Sequence, residues 1–89
     1  MEERLKYSDK AKEDLQYWKK TNNVANLKRI RKLLESILET PFTGIGKPEP
    51  LKYDMAGSWS RRINIVDRLV YELQDNNDVY IYSMKGHYD

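Results

Sequence analysis

The chain has no cysteine and one histidine, and these two shortages exclude a good deal of chemistry. Without cysteine there is no disulfide, no thiolate nucleophile and no zinc–thiolate site. A single histidine, His87, cannot form a histidine cluster, so a metal site would have to be built from carboxylates. Also missing are a glycine-rich phosphate loop, an HExxH pair and a nucleophile elbow. No apolar run approaches the roughly 20 residues of a membrane-crossing helix. The opening MEERLKYSDK lacks the basic-then-apolar order of a secretory signal. These absences fit a cytoplasmic protein that does not enter a membrane. An excess of one charge is missing as well: a formal +2 is too mild to announce nucleic-acid binding.

What is present is enough for one soluble domain. Hydrophobic residues make up 39% and charged residues 34% of 89 positions, which supports a single core. No repeat, biased tract or linker divides the chain, so residues 1–89 read as one domain. Arg4-Leu5-Lys6-Tyr7 alternates and reads as a short strand. Ser8 is a candidate N-cap, followed by Asp9, Glu13 and Asp14 and by a stripe of Ala11, Leu15 and Trp18. Thr21-Asn22-Asn23 ends that helix and can cap the next, expected over Val24 to Glu39. The second stripe is Val24, Leu27, Ile30, Leu34 and Ile37, widened by Leu33 and Leu38. Lys28, Arg29, Arg31 and Lys32 fall largely outside it, as a solvated face. Thr40-Pro41 stops the helix.

Beyond the prolines the period becomes two. Residues 58–65 place Trp59, Arg61, Ile63 and Ile65 on one face. Arg68-Leu69-Val70-Tyr71-Glu72-Leu73 and Val79-Tyr80-Ile81-Tyr82-Ser83-Met84 flank the turn Asp75-Asn76-Asn77-Asp78. Consecutive hairpins imply an α+β fold, with two N-terminal helices packed on one face of a twisted antiparallel sheet to which the first strand is added.

The segment Gly46-Lys47-Pro48-Glu49-Pro50-Leu51-Lys52-Tyr53 is expected to run extended, as polyproline II, with Glu49 and Lys52 pointing the same way. It is either a stiff charged connector or a rigid presenter of a carboxylate beside an ammonium. The strand alternation puts Arg61 on the core side with Trp59, Ile63 and Ile65, and Arg62 and Asn64 on the other. Arginines on adjoining strands form either an anion site or cross-strand pairs with acids such as Glu72. His87 is either an inert chain end or a functional imidazole, and Tyr88 either a stacking ring or a docking one. One glutamate, several cations and one histidine are the minimum set for metal-free RNA cleavage. A base deprotonates the ribose 2′-OH, cations stabilise the phosphorane-like transition state, and an acid protonates the departing 5′-oxygen. That chemistry is confined to RNA, since DNA lacks the hydroxyl.

Thr40-Pro41-Phe42-Thr43-Gly44-Ile45-Gly46-Lys47-Pro48-Glu49-Pro50-Leu51-Lys52 strongly resembles the YoeB (Txe/YoeB) branch of the RelE-like bacterial toxins. So do Gly57-Ser58-Trp59-Ser60-Arg61-Arg62-Ile63, Arg68-Leu69-Val70-Tyr71, the Tyr17-Trp18 pair and His87-Tyr88, in matching order over essentially the whole chain. The resemblance implies a toxin of a type II toxin–antitoxin system that cuts mRNA in the ribosomal A site without a cofactor. It implies as partners a YefM-like antitoxin, the 70S ribosome with its mRNA, operator DNA reached through the antitoxin complex, and a second copy in a homodimer. By this resemblance Glu49 is the general base, Arg68 the transition-state arginine and His87 the general acid. Tyr88 orients or stacks on the substrate. Lys52 and Arg62 meet the scissile phosphate, and Lys47 and Arg61 are further RNA contacts. The alternative from another class is a non-catalytic corepressor module that binds the antitoxin and acts only in autoregulation. In the family the His-Tyr pair closes the chain, whereas Asp89 follows it here. A carboxylate near His87 is expected to favour the imidazolium.

Overall fold

The structure, a computed structural model, describes residues 3–86. His87, Tyr88 and Asp89 lie outside the described residues. Strand β1 (Leu5–Tyr7) leads into helix α1 (Asp9–Lys20), then helix α2 (Val24–Glu39). Four strands follow: β2 (Glu49–Pro50), β3 (Trp59–Arg62), β4 (Arg68–Leu73) and β5 (Val79–Ser83).

Local chemistry sets the helix boundaries. The Ser8 hydroxyl accepts from the Ala11 amide at 3.0 Å, and the Asn23 side chain accepts from Asn26 at 3.0 Å. Each satisfies an amide that the first helical turn leaves without a partner. Asn22 takes φ 55° between the helices, a left-handed position that asparagine tolerates.

The strands form one sheet in the order β1-β5-β4-β3-β2. The β2–β3, β3–β4 and β4–β5 pairs are antiparallel, but β1 runs parallel to β5, with Leu5 opposite Val79 and Tyr7 opposite Ile81. The sheet is therefore mixed. The parallel pair follows from the route of the chain, since two helices intervene between β1 and the hairpins and a crossover returns a strand in the same direction.

Both helices contribute to the core with Leu69, Tyr71, Val79 and Ile81 of the sheet: Ala11 and Trp18 come from α1, and Ile30, Leu33 and Ile37 from α2. Two residues of the expected apolar face are outside it. Val24 is 50% exposed at the first turn of α2, and Ile65 is 90% exposed. Ile65 misses the core because β3 ends at Arg62. Ile63 and Asn64 both donate to the Asp67 carbonyl, at 3.0 and 3.3 Å, and the chain turns there. Conversely, Asp14 is buried on α1, where its carboxylate accepts from Lys10 Nζ at 2.8 Å and from the Met84 amide at 2.9 Å.

Candidate active site

The helices cover one face of the sheet, and the other carries the charges. On β3 and β4, Arg62 stands directly opposite Arg68 and Ser60 opposite Val70, while Glu49 of β2 pairs with Ser60. Because side chains alternate, Glu49, Ser60, Arg62, Arg68 and Val70 share the face away from the helices. Ser60 and Val70 are buried and form its floor. Glu49 and Arg62 are exposed above it, and Arg68 is partly buried. Two positions along a strand separate the Glu49 row from the arginine row, about 7 Å.

Like charges directly opposite on neighbouring strands repel, so the arginine pair needs a reason to persist. Part of it lies in the turn. Arg68 Nη1 donates to the carbonyls of Asn64, Ile65 and Asp67 at 3.1, 3.2 and 3.3 Å. The same turn is locked by Asn64 Oδ1, which accepts from the Val66 and Asp67 amides at 2.8 and 2.7 Å. One edge of the Arg68 guanidinium is thus spent on positioning. The side chains of Glu49, Lys47, Lys52 and Arg62 have no hydrogen bond or ion pair among the described residues, where the Lys10–Asp14 pair at 2.8 Å is the one salt bridge. These are unpaired charges on a shaped surface, suited to an anion with a proton to lose nearby.

The segment around Glu49 differs from the extended polyproline run expected of it. Arg62 N donates to Gly46 O at 2.7 Å, yet Glu49 pairs with Ser60, so one extra residue is inserted on this side. Such an insertion bends a strand and forces a left-handed residue. Lys47 takes φ 52° despite preceding proline, and Tyr53 takes φ 57° at the far end. Glu49 is therefore held by pairing to β3 between two backbone bends. The three-residue periodicity that would align it with Lys52 is absent.

Arg61 is corrected from the set of RNA contacts. It is fully buried on the helix side. Its guanidinium donates to Ser36 Oγ at 2.7 Å, the carbonyls of Thr40, Thr43 and Ile45 at 2.7, 2.7 and 3.1 Å, and Tyr71 Oη at 3.1 Å. Tyr71 Oη in turn donates to Pro41 O at 2.6 Å. Burial lifts the Tyr71 phenol above its ordinary 10.0, and the hydrogen bond and charge of Arg61 oppose that rise. Of the adjacent arginines, Arg61 organises the loop before Glu49 and Arg62 faces solvent.

The chain leaving β5 is fastened on both sides. Met84 O accepts from Trp18 Nε1 at 2.8 Å, while Gly86 N donates to Asp67 Oδ1 and Gly86 O accepts from Arg68 N at 2.8 and 2.7 Å. Gly86, the residue before His87, is thereby tied to the strand that carries Arg68. The expectations for His87 and Tyr88 themselves fall outside the described residues. Asp67 and Asn64 escaped the sequence reading, although an Asn-x-x-Asp spacing before a strand is a turn signal that could have found them.

This is a small α+β domain with one charged sheet face. Residues 7–88 match the model of the YoeB-like toxins of bacterial type II toxin–antitoxin systems, and the chain belongs to that family. The toxin YoeB of Synechocystis sp. is 51% identical over 71 residues, 80% of this chain and 81% of the relative. The YoeB/ParE toxin from Agrobacterium tumefaciens superposes with a TM-score of 0.89 at 36% identity, covering 94% of this chain and 98% of that one. Staphylococcus aureus YoeB, solved in a YoeB–YefM complex and as a dimer, gives TM-scores of 0.85 and 0.84 at 45% and 44% identity, with coverage of 94% and 95% in each case.

Proposed function

We propose that the chain is a ribosome-dependent mRNA endoribonuclease, cytoplasmic and held in check by a YefM-like antitoxin. The observation that carries this reading is the arginine pair: Arg62 and Arg68 stand directly opposite one another, with the unpaired Glu49 one row away. In this mechanism Glu49 takes the proton of the 2′-OH, and the resulting oxygen attacks the adjacent phosphorus. Arg62, Arg68 and Lys52 neutralise the charge that builds on the phosphoryl oxygens. The bond to the 5′-oxygen breaks as His87 protonates it, leaving a 2′,3′-cyclic phosphate and a 5′-hydroxyl. Tyr88 orients the substrate and Lys47 meets the RNA backbone. The YoeB–YefM complex and YoeB dimer of Staphylococcus aureus support a YefM-like partner and a homodimer, with operator DNA reached through the antitoxin complex.

The test is cleavage of a short mRNA on programmed ribosomes, read by mapping new 5′ ends. Glu49→Ala, Arg68→Ala and His87→Ala are each expected to slow cutting by about 10²-fold or more. Thermal midpoints of the variants separate chemistry from folding. Cutting at the wild-type rate by all three would overturn the site. A wild-type protein that binds its antitoxin and operator but never cuts would make it the corepressor module.

A further inference from the structure

Tyr53 is placed at a cost that the fold does not require. Its side chain is 91% exposed, and its backbone sits at φ 57°, where an ordinary L-residue is strained and glycine or asparagine is the usual occupant. The side chain makes no hydrogen bond and no ring–ring or cation–π contact among the described residues. The loop holds it there firmly. Met55 N donates to Lys52 O, Ala56 N to Tyr53 O, Ser58 N to Met55 O and Leu51 N to Ser58 O, at 3.1, 3.0, 2.9 and 2.9 Å. A large aromatic in a left-handed position, projected from a loop closed by four backbone hydrogen bonds, points to a ligand with a flat apolar face.

The neighbourhood says which ligand. Lys52, exposed and unpaired, precedes Tyr53, and the loop joins the strand of Glu49 to the strand of Arg62. A cation beside an exposed ring is the pairing by which proteins hold single-stranded nucleic acid, the charge on a phosphate and the ring on a base. The loop closes at Ser58, four residues before Arg62 on the same strand path, about 13 Å from the arginine pair. The loop that carries Tyr53 therefore begins two residues beyond Glu49 and ends about 13 Å before the arginine pair, the scale of a flanking nucleotide rather than of the reacting phosphate.

We propose that Tyr53 is a stacking platform for a base flanking the cut in the single-stranded RNA. The assignment rests on the nuclease reading of Glu49 and the arginines. Its test uses an mRNA carrying 2′-deoxyribose at the cut, which blocks attack, and 5-iodouridine at the flanking positions. The RNA is bound to the protein on programmed ribosomes and irradiated. The crosslink is expected on Tyr53. Tyr53→Ala is expected to weaken RNA binding roughly 5- to 150-fold, the range of one base–aromatic stack, and Tyr53→Phe to bind within about twofold of wild type, because the π-face is kept. Tyr53→Gly should lose the same affinity while its unfolding midpoint stays level or rises, which a purely structural role cannot produce. Binding by Tyr53→Ala at wild-type strength, with crosslinks elsewhere, would overturn the platform and leave the nuclease standing. A Tyr53 crosslink in a protein that never cuts the all-ribose mRNA would support the platform and overturn the nuclease.

Discussion

Arg61 carries a full charge into the interior, and among the described residues it meets no carboxylate. Its compensation is dipolar. Ser36 and Thr40 belong to the last turn and C-cap of α2, and that turn contains no basic residue of its own. The guanidinium therefore supplies from β3 the positive charge that the negative end of the helix dipole favours. It also reaches Thr43 O and Ile45 O, so one side chain holds the whole loop from helix to β2. A lysine carries the charge but not the fork of donors. Arg61→Lys is thus expected to strand buried carbonyls and cost about 3 kcal/mol, a fall of roughly 12 °C or more in thermal midpoint. Arg62→Lys, on the exposed face, should leave the midpoint within a few degrees. Calorimetry on the pair checks both.

At the scale of elements, the edge strand that carries Glu49 is only two residues long, so its place depends on what precedes it. Gly46 is the hinge, at φ 84°, and a Cβ there would lie 2.7 Å from Leu33 Cδ2 and 3.2 Å from Arg61 Cβ. Gly46→Ala is expected to cost about 1–3 kcal/mol through overpacking and strain. It should also slow mRNA cleavage, by shifting Glu49 relative to the arginines. Denaturant unfolding and the programmed-ribosome assay read the two effects separately. The same element marks where the sequence stops being legible. Both helices, with Ser8 and Asn23 as caps, and β4 could be read directly, because capping and periodicity are local. The antiparallel hairpins could be read for the same reason. The left-handed Lys47 could not, since it arises from the mismatch between Gly46–Arg62 and Glu49–Ser60 pairing, a contact between distant residues. The inward placement of Arg61 was legible, because alternation sets it with Trp59 and Ile63 and leaves Arg62 on the other face. What alternation could not show was its partners, the carbonyls gathered from Thr40 to Ile45, which lie far from it in sequence. The charged residues of the candidate site were named from their resemblance to a family, whereas Ser60, Val70 and Asp67, which shape that face, carry no such mark.

At the scale of the whole molecule, phenols link the sheet to alkaline pH. Burial raises Tyr7 and Tyr71 above the ordinary 10.0, and Tyr82 is raised chiefly by its hydrogen bond to the Glu72 carboxylate, with burial adding to it. A raised phenol holds its proton in the folded chain at pH values where the unfolded chain has lost it. The folded state then binds more protons, so stability is intact below pH 10 and falls as pH climbs from about 10 through the higher folded values. The phenolate absorbance of Tyr7, Tyr71 and Tyr82, isolated by difference against the three Tyr→Phe variants, is expected to rise together with the loss of far-UV ellipticity in that range. Release of the phenolic protons at pH 10 in a fully folded chain would contradict this.

The parallel pairing of β1 with β5 has a consequence in time. Ser8 bonds to Tyr82 across 74 positions, while each hairpin closes across a short loop. Local contacts form early and distant ones late, because the entropy of closing the larger loop must be met first. Helices and hairpins can therefore assemble while the two ends of the fold are still apart. Fastening of Met84 to Trp18, across 66 positions, then belongs to the closing steps of folding. The hairpins that carry Glu49, Arg62 and Arg68 can therefore form before the sheet closes on β1.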